Sequence, residues 1–159
     1  MFRAESDNTL FFLGKHYTFS EEHKSILLQL AQASPSGTSR ICLHESQSHS
    51  TQSMIICILG NKCFIPHYHP ASKSESYTII RGKLYVDIMS CDGFILQTHC
   101  LTRENTPYMH KGLTPHKTYT LDSYAVFHEV YHGTFSREYD VHEINQINQI
   151  NEINEINDK

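Results

Sequence analysis

Two hydrophobic periodicities divide the chain. Between Glu21 and Ala33 the apolar residues Ile26, Leu27, Leu30 and Ala31 recur at helical spacing and form one stripe, which predicts an amphipathic helix. Thr18-Phe-Ser-Glu21 just ahead matches a capping box with Thr18 as the capping residue, and Pro35 and Gly37 end the helix. The residues before it read as a short irregular start. From Ser39 the period falls to two, with β-branched and aromatic runs at Arg40–His44, Ser53–Leu59, Cys63–His69, Glu75–Arg81, Lys83–Met89, Phe94–Cys100, Tyr108–His110, Lys117–Leu121 and Tyr124–Tyr131. Gly60-Asn61 and Asp92-Gly93 supply the positive φ that tight hairpins need. Short strands with close turns predict an all-β sandwich, jelly roll or small barrel.

The last residues follow neither period. From Glu143 to Asn157 the chain repeats Ile-Asn-Gln or Ile-Asn-Glu every three residues. A three-residue step advances about 300° around an α-helix, so the isoleucines would scatter over the cylinder instead of forming a face. The expectation is a low-complexity extension, disordered or weakly helical, without catalytic residues. The division expected is 1–38 for an N-terminal segment with one helix, 39–136 for the barrel and 137–159 for the tail.

Composition narrows the function classes. A chain of 159 residues suffices for one domain with a sizeable core. A net charge of -4 without a basic stripe argues against nucleic-acid binding. The longest apolar runs, Leu10–Leu13 and Met54–Leu59, fall far short of the roughly 20 residues that a membrane helix needs. The first residues carry acids where a secretory leader would be basic and then apolar, so a cytoplasmic protein is expected. The five cysteines are odd in number, lack a C-x-x-C pair and sit mostly in apolar runs; they read as reduced, buried hydrophobes. Histidine is the outlier, with 12 residues against 13 Lys plus Arg.

Those histidines direct attention to Pro66-His-Tyr-His-Pro-Ala-Ser-Lys-Ser-Glu-Ser-Tyr. On a strand His67 and His69 project from the same face, and two neutral imidazoles side by side are half a metal site. At this histidine frequency about one His-x-His pair arises by chance, so the pair gains meaning only from its company. Glu75 could return from the next strand as an oxygen ligand, and its parity brings Tyr77 and Ile79 inward with it. Arg40 and His44, on an early strand, are candidates to line the pocket; Arg40 suits bidentate recognition of a carboxylate or phosphate. Glu129 is a candidate to orient a ligand imidazole from behind.

His67-x-His69-x5-Glu75-x6-Gly82 resembles the first motif of the cupin superfamily, with a loop one residue longer before the Glu. Pro66-His-x-His-Pro followed by Lys-Ser-Glu-Ser is similar to the WbuC-like cupin-fold metalloproteins, as is the stretch from His116 to Glu129-Val-Tyr-His-Gly-Thr-Phe135. Of the second cupin motif, Pro107, Gly112 and His116 stand in order with longer gaps, and Thr120 replaces the usual Asn; His110 is the rival to His116. The resemblance covers about Tyr17 to Phe135. It implies a double-stranded β-helix, a jelly-roll barrel, holding one divalent transition metal (Fe, Zn, Mn or Ni) on His67, His69, Glu75 and His116, with positions left open for substrate. Arg40, His44 and Tyr77 would contact that substrate.

The WbuC resemblance also implies work on a sugar or nucleotide-sugar in surface-polysaccharide (O-antigen) biosynthesis. Two readings from other classes stand beside it: an Fe(II)-dependent oxygenase of a small molecule, and a non-enzymatic module that binds a small ligand. The partner expected is a small molecule, with neither nucleic acid nor membrane. A homodimer is compatible with such barrels.

Overall fold

The computed structural model of the chain describes residues 1–144. Twelve strands among these residues form two β-sheets. Numbering strands in chain order, the larger sheet runs β1 (Phe2–Ser6), β2 (Thr9–Phe12), β3 (Thr38–Cys42), β4 (Thr51–Leu59), β11 (Tyr124–His132), β6 (Ser74–Arg81), β9 (Tyr108–Lys111). The smaller runs β12 (His142–Glu143), β5 (His67–Tyr68), β10 (His116–Tyr119), β7 (Leu84–Met89), β8 (Ile95–Leu101). From β4 to β7 the chain alternates between the sheets, as a double-stranded β-helix requires, and every ladder is antiparallel except β2 on β3. The expected all-β jelly-roll barrel with an N-terminal helix is the architecture found.

Strand parity separates two cores. Met54, Ile56 and Ile58 of β4 face inward with Phe127 of β11, Tyr77 and Ile79 of β6, and Leu84 and Val86 of β7. The alternate residues Ile55, Cys57 and Val126 face outward, where Leu27 and Ala31 of helix α1 (Glu21–Ala33) cover them. Covered on both faces, β4 and β11 read as nearly continuous apolar runs. Ser39 ties the helix down by donating its hydroxyl to the Leu27 carbonyl at 2.6 Å.

Along the barrel axis the interior changes character. Cross-strand register sets Ile56, Phe127 and Ile79 in one row, Met54, Glu129, Tyr77 and Tyr108 in the next, and Gln52, Tyr131, Glu75 and His110 in a third. One end is therefore an apolar plug and the other a polar bowl. Gly82 makes the β6–β7 connection at φ 71°; a Cβ there would drive into the Tyr124 carbonyl oxygen.

Several expectations need correction. The start is a hairpin, β1 and β2, that extends the larger sheet. Ser20, not Thr18, caps the helix, accepting from the His23 amide at 3.4 Å; Thr18 lies too far ahead of a first turn that begins at Glu21. Glu21 instead pairs with Arg81 and Lys24. The run Cys63–His69 yields only His67–Tyr68 as strand, plus a bridge from Cys63 to Tyr119. Cys42 and Cys57 are buried as expected, whereas Cys63, Cys91 and Cys100 are exposed.

The first part of the expected tail is built into the fold. Helix α2 (Arg137–Asp140) buries Asp140, β12 pairs with β5, and the Ile144 amide donates to the Pro66 carbonyl at 2.9 Å. The Ile-Asn repeat from residue 145 onward lies outside the described residues.

Candidate metal centre

Five side chains from four strands and one loop meet in the polar bowl. Register sets Glu75 of β6 directly opposite His110 of β9, and His116 of β10 directly opposite His67 of β5; His69 follows two residues later on the same side as His67. The Nε2 of His69 lies 3.0 Å from Glu75 Oε1, and those of His110 and His116 each lie 3.3 Å from Oε2. The His67 ring is 4.5 Å from that of His116 and 4.9 Å from that of His69. His116 is 1% exposed and His110 7%. Two triads within ligand distance share His116: His67, His69 and His116, and Glu75, His110 and His116.

Backbone carbonyls orient three of the rings. The Nδ1 of His67 faces the Ile65 carbonyl at 2.7 Å, that of His69 the Asp140 carbonyl at 2.5 Å, and that of His116 the Thr114 carbonyl at 2.9 Å. A carbonyl can only accept, so each Nδ1 carries the hydrogen and each neutral imidazole turns an Nε2 lone pair into the bowl. Such partners fix tautomer and ring orientation in metal sites. Glu75 is held from the other side by the Tyr77 hydroxyl, which donates to Oε2 at 2.7 Å. The loops agree on this arrangement: the amides of Gly112 and Leu113, between the two later histidines, donate to the carbonyls of Lys73 and His69. At Gly112 a Cβ would collide with the Pro70 carbonyl.

A cation suits this donor set. The Nε2 atoms of His69, His110 and His116 are buried and lack a hydrogen-bond partner, although each lies within 3.3 Å of a Glu75 oxygen. Orphaned buried nitrogens around one carboxylate are costly unless something satisfies them together. Burial pulls the His67 imidazole down to about 4, with His116 adding to the shift, and burial lowers His110 as well; both favour the neutral, ligating form. Burial also pulls on His69, but the facing Glu75 outweighs it and the net shift is upward. Burial would raise Glu75, yet the three imidazoles facing it hold its carboxyl well below the usual range. An anionic carboxylate ringed by imidazole nitrogens is the donor chemistry of a divalent transition-metal site, and a bound cation would displace any proton that Glu75 draws onto His69.

The remaining expected residues are distributed around this cluster. A cavity of about 460 Å³ opens on His67, His69 and Glu75 and is also lined by Arg40, Tyr77 and Glu129. An adjoining cavity of about 280 Å³ shares Arg40, Glu75 and Glu129 and reaches His44. The His44 ring is held by the Ser53 backbone and the edge of Phe11, away from the cluster. Tyr77 lines the cavity, but its hydroxyl is committed to Glu75. Glu129 does not stand behind an imidazole: among the described residues it bonds none of them, since backbone carbonyls hold that role. Its carboxyl faces the cavity instead, pushed up to about 8 by burial and by Glu75, with Arg40 opposing the shift.

The sequence offers His110 and His116 as alternatives, yet the fold brings both in, because β9 and β10 belong to opposite sheets that close on the same bowl. Asp140 supplies the carbonyl behind His69, and its carboxylate accepts from the Ser136 amide and lies 3.5 Å from Lys73 Nζ. Nothing in a backbone carbonyl's sequence position signals such a role.

The model of the family described as "Domain of unknown function (DUF6016)" matches residues 19–101. The chain belongs to this family. No curated protein matches it. Among solved structures it is similar to L-ribose isomerase of Geodermatophilus obscurus, with 14% identity, TM-score 0.51 and coverage of 59% of this chain and 57% of that one. KdgF from Halomonas sp. gives 10% identity, TM-score 0.51 and coverage of 66% and 86%. An uncharacterized protein with a double-stranded β-helix domain from Klebsiella pneumoniae subsp. pneumoniae gives 12%, 0.50, and 62% and 75%. This chain thus spans little more than half of the isomerase. At such identities the likeness is one of fold, and it agrees with the strand order: the domain is a cupin-type double-stranded β-helix.

Proposed function

We propose that this protein is a cupin-fold metalloprotein that binds one divalent transition metal through His67, His69, Glu75 and His116, with His110 in reach as a further donor, and presents it to a small polar ligand in the adjoining cavity. The observation that carries this reading is the convergence of three buried, unpartnered Nε2 atoms on one carboxylate. When bound, the metal would supply Lewis acidity toward a carbonyl or hydroxyl of the ligand. The chain's own groups would hold the ligand and move a proton. Glu129, facing the cavity with its carboxyl raised toward neutral pH, is suited to give or take one there.

A sugar or nucleotide-sugar is the ligand class we favour, with isomerisation or epimerisation as the reaction. The WbuC-like spacing around His67 and His69 supports it, and a sugar isomerase is among the proteins sharing the fold; a role in surface-polysaccharide synthesis rests on the WbuC resemblance alone.

The test is metal per chain, measured by mass spectrometry on untagged protein. About one equivalent is expected in the wild type and almost none in His69→Ala, with the β-sheet circular dichroism retained; a wild type that neither contains nor takes up a transition metal would sink the reading. Oxygen consumption by the iron-loaded protein would move it to the oxygenase class. Tight ligand binding without turnover would mark a binding module.

A further inference from the structure

We infer that the ligand of this cavity carries a carboxylate, and that Arg40 binds it. The inference rests on the reading of the histidine cluster as a ligand-binding metal centre and names the substrate class that centre would take: a hydroxy acid or sugar acid.

Arg40 points into the barrel. On β3 the outward residues Ser39 and Ile41 pack on α1, while Cys42 joins the inner core, so parity turns Arg40 inward with Cys42. Its side chain forms part of the wall of both cavities, the one that opens on His67, His69 and Glu75 and the adjoining one. Its Nε is buried without a hydrogen-bond partner. Among the described residues no carboxylate comes within 4.0 Å of its guanidinium, although nine other cationic or imidazole groups, Lys73 and Arg137 among them, have such a neighbour. A partly buried, uncompensated guanidinium costs stability and asks for an anion.

The acids that line the two cavities do not provide that anion: Glu5, in the adjoining one, lies 4.0 Å from the Arg3 guanidinium. Glu75 is engaged by three imidazoles and the Tyr77 hydroxyl. Glu143 at the rim is paired with Arg137 at 3.0 Å. Glu129 remains, and although it lines both cavities with Arg40 its carboxyl stays more than 4.0 Å from the guanidinium. A bound divalent cation adds positive charge on the same side. The cavity is therefore cationic, and the Arg40 guanidinium, unlike that of Arg137, which Glu143 occupies, offers its fork to one carboxylate in bidentate geometry. A ligand held there by its carboxylate would reach the histidine cluster with a hydroxyl or carbonyl, since one cavity joins the two.

The experiment uses full-length protein loaded with cobalt(II), whose visible spectrum reports ligands arriving at the centre. Glycolate, lactate and gluconate are titrated against their neutral counterparts ethylene glycol, propane-1,2-diol and glucose, and glucose 6-phosphate serves as the phosphate arm. We expect at least one acid to bind tenfold or more tightly than its neutral counterpart, and Arg40→Met to erase that preference while keeping its cobalt. Arg40→Lys should retain part of it. The thermal midpoint of Arg40→Met should stay level or rise, because a buried charge without a partner is removed; a purely structural arginine would lower it. Equal binding of acids and neutral counterparts, or an unchanged preference in Arg40→Met, overturns the inference, and so does a preference for glucose 6-phosphate over gluconate. Failure of the wild type to hold cobalt overturns the metal reading instead, and is seen before any ligand is added.

Discussion

At the scale of single residues, the bowl concentrates groups whose protonation differs between the folded and unfolded chain. His67 has a folded value of about 4 against an ordinary one near 6.5. The unfolded chain therefore binds a proton that the folded chain refuses, so stability is full above about pH 6.5 and falls as pH drops toward 4. His44, His110 and His128, lowered mainly by burial, act in the same direction. His69 works the other way: raised by Glu75 against its burial, its contribution is present below its unfolded value and lost as pH rises through its folded one. In the presence of a chelator, urea midpoints between pH 7 and 4.5 should decline for the wild type and decline less steeply for His67→Gln. Parallel slopes would remove His67 from the account. Metal affinity should weaken over the same range, since protons and metal compete for the same lone pairs. His110→Ala gives a further check, with metal affinity expected to fall about 10- to 100-fold, compared with outright loss for His69→Ala.

Secondary-structure elements contribute at one remove. Helix α1 does no chemistry, but Leu27 is fully buried against the outer face of the sheet whose inner face carries Glu75 and Glu129. Leu27→Ala should cost about 2–5 kcal/mol in chemical denaturation, with one equivalent of metal retained under native conditions. The segment Ser136–Ile144 is closer to function than its biased continuation suggests. It places the Asp140 carbonyl behind His69, adds β12 to the edge at β5, and contributes Arg137, Val141 and Glu143 to the cavity wall. A chain ending at Phe135 should fold and lose about 10- to 100-fold in metal affinity, the usual cost of freeing a ligand imidazole from its partner. Ending the chain at Ile144 should leave affinity unchanged. Equal affinities for both would show that the segment merely covers the barrel.

For the whole molecule, the barrel works as a scaffold because its two ends differ. The Ile56, Phe127 and Ile79 row seals one end, and burying such side chains contributes about 1.5–3 kcal/mol each. That apolar end lets the other end hold histidines, two glutamates and an arginine that contribute less to stability than hydrophobic residues would. Much of this was legible beforehand. The period-two runs, the helix from Glu21 to Ala33, the Gly82 turn and the shared face of His67, His69 and Glu75 all follow from local rules: side chains alternate on a strand, recur every 3.6 residues on a helix, and Gly tolerates positive φ. What those rules cannot carry is pairing between distant strands. Register alone put His110 opposite Glu75, closure of two sheets brought His116 to the same carboxylate, and the packing of α2 and β12 drew Asp140 to His69 from 71 residues away. The same closure left Arg40 facing a cavity in which, among the described residues, no carboxylate comes within 4.0 Å of its guanidinium. Local sequence therefore determined which residues could serve a metal, because parity is a short-range property; the tertiary structure decided which of them meet, and which charge is left waiting, because that depends on register and burial between segments that sequence spacing does not relate.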